Sequence, residues 1–107
     1  MKIRNILFVL ILLISNLFSQ EKNKITLQLD WLHQFQFAGY YIAKEKGFYE
    51  ENNLDITIKE FSNNINLVEN VLNNKNIYSV STSSLVIDKL NNKDIVLLAA
   101  IYQSSPM

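Results

Sequence analysis

The hydrophobic and polar positions along this chain change period several times, and each change marks an element. An unbroken apolar run from Ile6 to Ile14 comes first, behind Lys2 and Arg4 and ahead of Ser15-Asn16-Leu17-Phe18-Ser19-Gln20. From Lys24 to Leu29 the pattern alternates: Ile25, Leu27 and Leu29 share one face, and Thr26, Gln28 and Asp30 the other, as in a strand. A helix is expected from about Gln36 to Lys46, ended by Gly47, with Phe48 to Asn53 forming a further short turn. Leu54, Ile56 and Ile58 then alternate with Asp55, Thr57 and Lys59, predicting a second strand, to Phe61, with one wet face. Ser62-Asn63-Asn64 offers N-cap oxygens for a second helix through Ile65, Val68 and Leu72 to about Asn73. A short strand, Ile77 to Val80, is followed by the turn Ser81-Thr82-Ser83-Ser84, which is expected to cap a third helix from Leu85 to Asn91. Ile95 to Ile101 lacks alternation and reads as a parallel strand buried on both faces.

Strands alternating with helices predict an α/β fold, with about four mainly parallel strands and three helices. The first 20 residues have the layout of a secretory signal peptide: a basic start, an apolar centre shorter than the roughly 20 residues of a membrane span, and a polar end. Residues 1–20 are therefore expected to direct export to the periplasm and 21–107 to form the mature domain, with an uncleaved anchor as the alternative. The chain has no cysteine, which excludes a lipoprotein signal and any disulfide.

Without the leader, 8 basic residues face 10 acidic ones, and the lysines are scattered among asparagines and acids. That balance argues against nucleic acid, whose binding rests on a basic footprint. The 14 asparagines are spread through expected turns and helix ends rather than gathered in one tract.

Candidate chemistry gathers where strands end. Trp31 follows the first strand beside Asp30, and an indole there offers a flat face to a ligand, although core packing explains it equally well. Asp30 is as suited to capping the next turn as to accepting from a ligand. Of the aromatic cluster Phe35, Phe37, Tyr40, Tyr41, Phe48 and Tyr49, most are expected in the core, Phe37 with Tyr41 and Phe48 with Ile42. Tyr40 or Tyr41, having a hydroxyl to place, is the better contact. Ser81 and Ser83 lie in a turn whose hydroxyls and free amides suit a carbonyl or anionic oxygen, beyond what a plain cap requires. His33 is the single histidine and reads as a turn residue, since zinc would lack most of its ligands and no nucleophile is paired with it.

Three stretches carry a resemblance. Leu27-Gln28-Leu29-Asp30-Trp31, then Phe37-Ala38-Gly39-Tyr40-Tyr41-Ile42-Ala43-Lys44-Glu45-Lys46-Gly47-Phe48-Tyr49, then Asn53-Leu54-Asp55-Ile56 resemble the start of a known family. It unites periplasmic binding proteins for sulfonates and thiamine pyrimidine precursors with the fungal thiamine pyrimidine synthases. The likeness continues through Tyr78 to Ser84 and Ala100 to Pro106. The form His33-Gln34-Phe35-Gln36-Phe37 looks most like bacterial members fused to sensor kinase or cyclic-dinucleotide signalling modules.

The resemblance implies a type II periplasmic binding protein fold, of which this chain would supply the first part of one lobe. It implies a small organic ligand held by Trp31, with Asp30 and the serine turn, Ser81 and Ser83, bordering the cleft; Tyr41, from the aromatic cluster, and Gln103 are further expected contacts. It also implies an ABC transporter permease or a fused kinase or cyclase as partner; for a binding module of this kind no cofactor is expected. The synthase branch needs a pyridoxal phosphate lysine and a histidine at about Ser81 and Leu85, and neither residue can do that chemistry. A pyridoxal phosphate- and iron-dependent synthase is therefore the disfavoured alternative, beside a fragment that has no function alone.

Overall fold

The computed structural model describes residues 21–102; the expected leader at 1–20 and the site candidate Gln103 lie outside the described residues. Three parallel strands make the sheet: β1 (Asn23–Gln28), β2 (Leu54–Lys59) and β3 (Ile77–Ser79) in the order β2-β1-β3. β1 pairs with β2 from Asn23↔Leu54 to Gln28↔Lys59 and with β3 from Thr26↔Ile77 to Gln28↔Ser79. Between them run a 3-10 turn (Phe35–Phe37), α1 (Ala38–Glu45), α2 (Phe48–Glu51) and α3 (Leu67–Asn73), and α4 (Leu85–Leu90) follows β3. The protein is α/β and compatible with part of one lobe, as expected.

Local chemistry explains the boundaries. Gly47 takes the left-handed conformation (φ 76°) after α1, and its amide donates to the Lys44 carbonyl at 3.0 Å. Asn53, Asn76 and Asn92 share that conformation, which asparagine tolerates better than other residues with a side chain. Two of them stand at strand entrances: the Asn53 carbonyl accepts from the Asn23 amide and the Asn76 carbonyl from Thr26, each at 2.9 Å, so these turns start the two ladders.

β2 has the expected wet face, with Asp55, Thr57 and Lys59 exposed and Ile56 buried. The central strand is different, because Leu29 and Gln28 are both buried and β1 is covered on both faces at its carboxyl end. Leu29, Phe37, Ile56 and Ile95 form the core.

Several expectations fail. Ile95 to Ile101 is no strand: Ile95 is buried behind a turn closed by its amide on the Lys93 carbonyl (2.9 Å), while Val96, Leu97, Leu98 and Ile101 are exposed. An apolar run makes a strand only where an edge pairs with it, and the three-residue β3 pairs with β1 alone. The cap of α3 is Asn66, whose Oδ1 accepts from the Val68 and Glu69 amides at 3.1 Å, because Ser62 to Ile65 is used in a turn of its own. No side chain caps α4; the Thr82 and Ser84 hydroxyls bond each other at 2.8 Å instead. Phe35 points to solvent, and Ile42 and Phe48 are about half exposed rather than core. Among the described residues, no helix is long and apolar enough to cross a membrane.

Candidate ligand-binding site

In a parallel sheet of order 2-1-3 the strand order reverses between β1 and β3, and a crevice opens beyond their carboxyl ends. A groove of ≈ 520 Å³ lies there, within the range of small-molecule sites. Asp30 and Trp31 line it from the end of β1, Ser81 and Thr82 from the end of β3, Leu67 from α3, and Gln34 and Gln36 from the loop before α1. The two halves are drawn together by backbone, since the Gln28 carbonyl accepts from the Val80 amide at 2.8 Å and from Ser79 Oγ at 3.3 Å.

The wall has one flat apolar face and one unmet acceptor. Trp31 is 51% exposed. Asp30 Oδ1 is buried and has no hydrogen-bond partner among the described residues. Such an oxygen is costly to leave unpaired, which marks Asp30 as the least satisfied group of the wall. Behind it, Tyr40 keeps its phenol proton to higher pH than usual, first through burial and then through the negative charges of Asp30 and Tyr102.

The candidates divide. Asp30, Trp31 and Ser81 meet in the groove. Tyr41 does not line it: its hydroxyl bonds His33 Nδ1 and its ring meets the imidazole edge to face, centroids 5.7 Å apart. Burial, and then the Glu60 charge, also hold the Tyr41 phenol in its neutral form. Ser83 lies outside the groove as well and serves α4, its carbonyl accepting from the Val86 amide at 3.1 Å. Gln34, Gln36 and Leu67 were not among the candidates, whereas Thr82 belongs to the hydroxyl turn singled out in the sequence; the strand order brings all four to the same crevice.

Gln28 was also missed. Its side chain is sealed beneath the site, Nε2 donating to the Glu60 carbonyl at 2.8 Å and lying 3.2 and 3.3 Å from the Leu29 and Lys59 carbonyls. That bridge ties the loop after β1 to the one after β2, and the Glu60 carboxylate adds an Oε2 at 3.4 Å from the His33 amide and 3.7 Å from its Nε2.

No lysine lines the groove, and no group of three or more His, Cys, Asp or Glu among the described residues is arranged to hold a metal. The residues present therefore do not fit a Schiff-base cofactor or a bound iron. A family model described as NMT1/THI5 like matches residues 34–107, well over half of the chain. Neither the curated proteins nor the solved structures contain a match.

Proposed function

The chain belongs to the NMT1/THI5-like family, and from that membership, which suggests binding of a small ligand, we propose that the groove at β1 and β3 is one wall of a solute-binding cleft. The observation that carries this reading is the buried, unpartnered Asp30 Oδ1 beside the half-open Trp31 indole. Together they offer a flat face for an aromatic or other planar group and an acceptor for a donor on it. Ser81 and Thr82 supply hydroxyls from the facing turn. The module is exported by residues 1–20 and works in the periplasm, capturing a thiamine pyrimidine precursor, a sulfonate or a similar solute. It passes occupancy to an ABC permease or a fused kinase or cyclase module. Recognition rather than synthesis is favoured because Ser81 and Leu85 carry neither the amine nor the imidazole that the synthase branch needs.

Trp31 is the single tryptophan, so its fluorescence reports the groove directly. Titration of the full chain with 4-amino-5-hydroxymethyl-2-methylpyrimidine and with taurine should give saturable quenching by one of them. Asp30→Ala should weaken a pyrimidine donor's binding by about tenfold or more. Absence of saturable quenching by either compound up to millimolar concentration overturns the reading for both classes. Export is read separately, by fractionation and N-terminal sequencing of the periplasmic form, which should begin just after Ser19 or Gln20.

A further inference from the structure

His33 was expected to be an idle turn residue, yet both of its ring nitrogens face a partner from another element. Nδ1 bonds the Tyr41 hydroxyl on α1, and Nε2 lies 3.7 Å from Glu60 Oε2, just past β2. The His33 amide adds a contact to the same carboxylate oxygen at 3.4 Å. Trp31 lies two residues earlier on this loop, its carbonyl accepting from the Phe61 amide beside Glu60. We propose that His33 is a positioning residue for the groove: its protonated imidazole bridges the Glu60 carboxylate and the Tyr41 hydroxyl, and so holds the Trp31 loop against the loop after β2.

The neutral ring keeps the same neighbours, with the Tyr41 hydroxyl donating to Nδ1 and Nε2–H turned to Glu60. Protonation makes the Tyr41 oxygen an acceptor and sets a full positive charge opposite a carboxylate, which strengthens both contacts. Imidazole is the group that changes charge between about pH 5 and 8, and this chain has one histidine. The groups facing it are Glu60 and Tyr41; Asp30, three residues earlier, lines the groove and acts on Tyr40, and Lys59 adjoins Glu60 in sequence. Both members of the pair are 48% exposed at the side chain, so the change in the closed population is about two- to fivefold rather than all or none. The consequence for capture rests on the groove being the binding site, whereas the clasp itself does not.

The test reads the loop without a ligand. Acrylamide, a neutral quencher, is titrated against Trp31 fluorescence of the full chain between pH 5 and 8. The quenching constant should rise with pH by up to about twofold, since Trp31 is already 51% exposed and loosening the loop can at most double that. His33→Gln and Glu60→Gln should each flatten the profile at unchanged far-ultraviolet circular dichroism, and Tyr41→Phe should reduce its amplitude. A flat profile in the unaltered chain, or the unaltered profile in the Glu60→Gln or His33→Gln variant, overturns the proposal. A flat profile with saturable ligand quenching rejects the clasp alone; a pH-dependent profile without ligand quenching rejects the groove alone.

Discussion

The Phe61 amide donates to the Trp31 carbonyl across 3.1 Å, although thirty positions of chain separate the two residues. With the Leu29 amide on the Lys59 carbonyl at 2.8 Å, this bond carries the pairing of β1 and β2 beyond both strands. The backbone that presents the indole is therefore not set by the indole itself.

Removal of the Trp31 ring should accordingly leave the fold in place. Trp31→Ala is expected to change unfolding free energy by no more than about 1 kcal/mol, because half of the ring is already in solvent. Urea denaturation followed by circular dichroism measures this. A loss of several kcal/mol would show that the ring is a core element, and the ligand titration of that variant would lose its meaning.

Gln28 should behave in the opposite way. It is 1% exposed, and its amide donates to the part-buried Glu60 carbonyl just past β2 at 2.8 Å, so Gln28→Ala removes that acceptor's donor, while the Lys59 carbonyl keeps the Leu29 amide. The expected cost is about 1–3 kcal/mol, read from the urea midpoint at constant slope. Gln28→Leu fills the volume without restoring the donor and should remain destabilised, which separates the hydrogen bonds from packing.

These two residues show what sequence could and could not disclose. β2 was legible because Leu54, Ile56 and Ile58 alternate with polar residues, and the stop after α1 because glycine tolerates a positive φ. The crevice was legible from parallel topology, which places the residues after Asp30 at a strand end. Gln28 was hidden because a polar residue in an alternating strand reads as solvent-facing, and its partners Lys59 and Glu60 are more than thirty residues away. Asn66 was hidden by Ser62, Asn63 and Asn64, which are equally good caps by type. The run at Ile95 misled because an unbroken apolar stretch carries no period to identify it. His33 has no sequence signal for its role, since Glu60 and Tyr41 reach it only through the fold.

The two glycines give a paired prediction of opposite sign. A Cβ at either meets nothing within 4 Å, so backbone conformation alone decides. Gly39 lies inside α1, and Gly39→Ala should stabilise by roughly 0.5–1 kcal/mol. Gly47 has φ 76°, and Gly47→Ala should destabilise by about 1–2 kcal/mol. Thermal melts of both variants and of the double variant check this, with the double expected close to the sum if the sites act independently.

The cap of α3 can be tested the same way. Asn66 Oδ1 serves two backbone amides, so Asn66→Ala should cost about 1 kcal/mol, whereas Asn64→Ala should cost little, since α3 takes its cap from Asn66. Equal losses at both positions would return the start of the helix to the segment expected from sequence.

The last prediction concerns alkaline pH and the ground beneath the groove. Tyr40 is held in its neutral form first by burial and then by the charges of Asp30 and Tyr102, so its folded pKa lies above the ordinary 10.0. A group with a raised folded pKa contributes stability that is complete below its unfolded value and is lost as pH rises through the folded one. Stability should thus decline once pH passes about 10, and Tyr40→Phe should make that decline shallower without removing it, because Tyr41 and Tyr49 are shifted in the same direction. Absorbance at the phenolate band separates the contributions: the difference between the unaltered chain and Tyr40→Phe isolates one of five tyrosines, and its midpoint should exceed 10.0. Asp30→Asn should move that midpoint downward, since it removes one of the charges but leaves the burial. A midpoint indifferent to Asp30 would mean that its charge does not act on Tyr40, leaving burial and Tyr102 to hold the phenol in its neutral form.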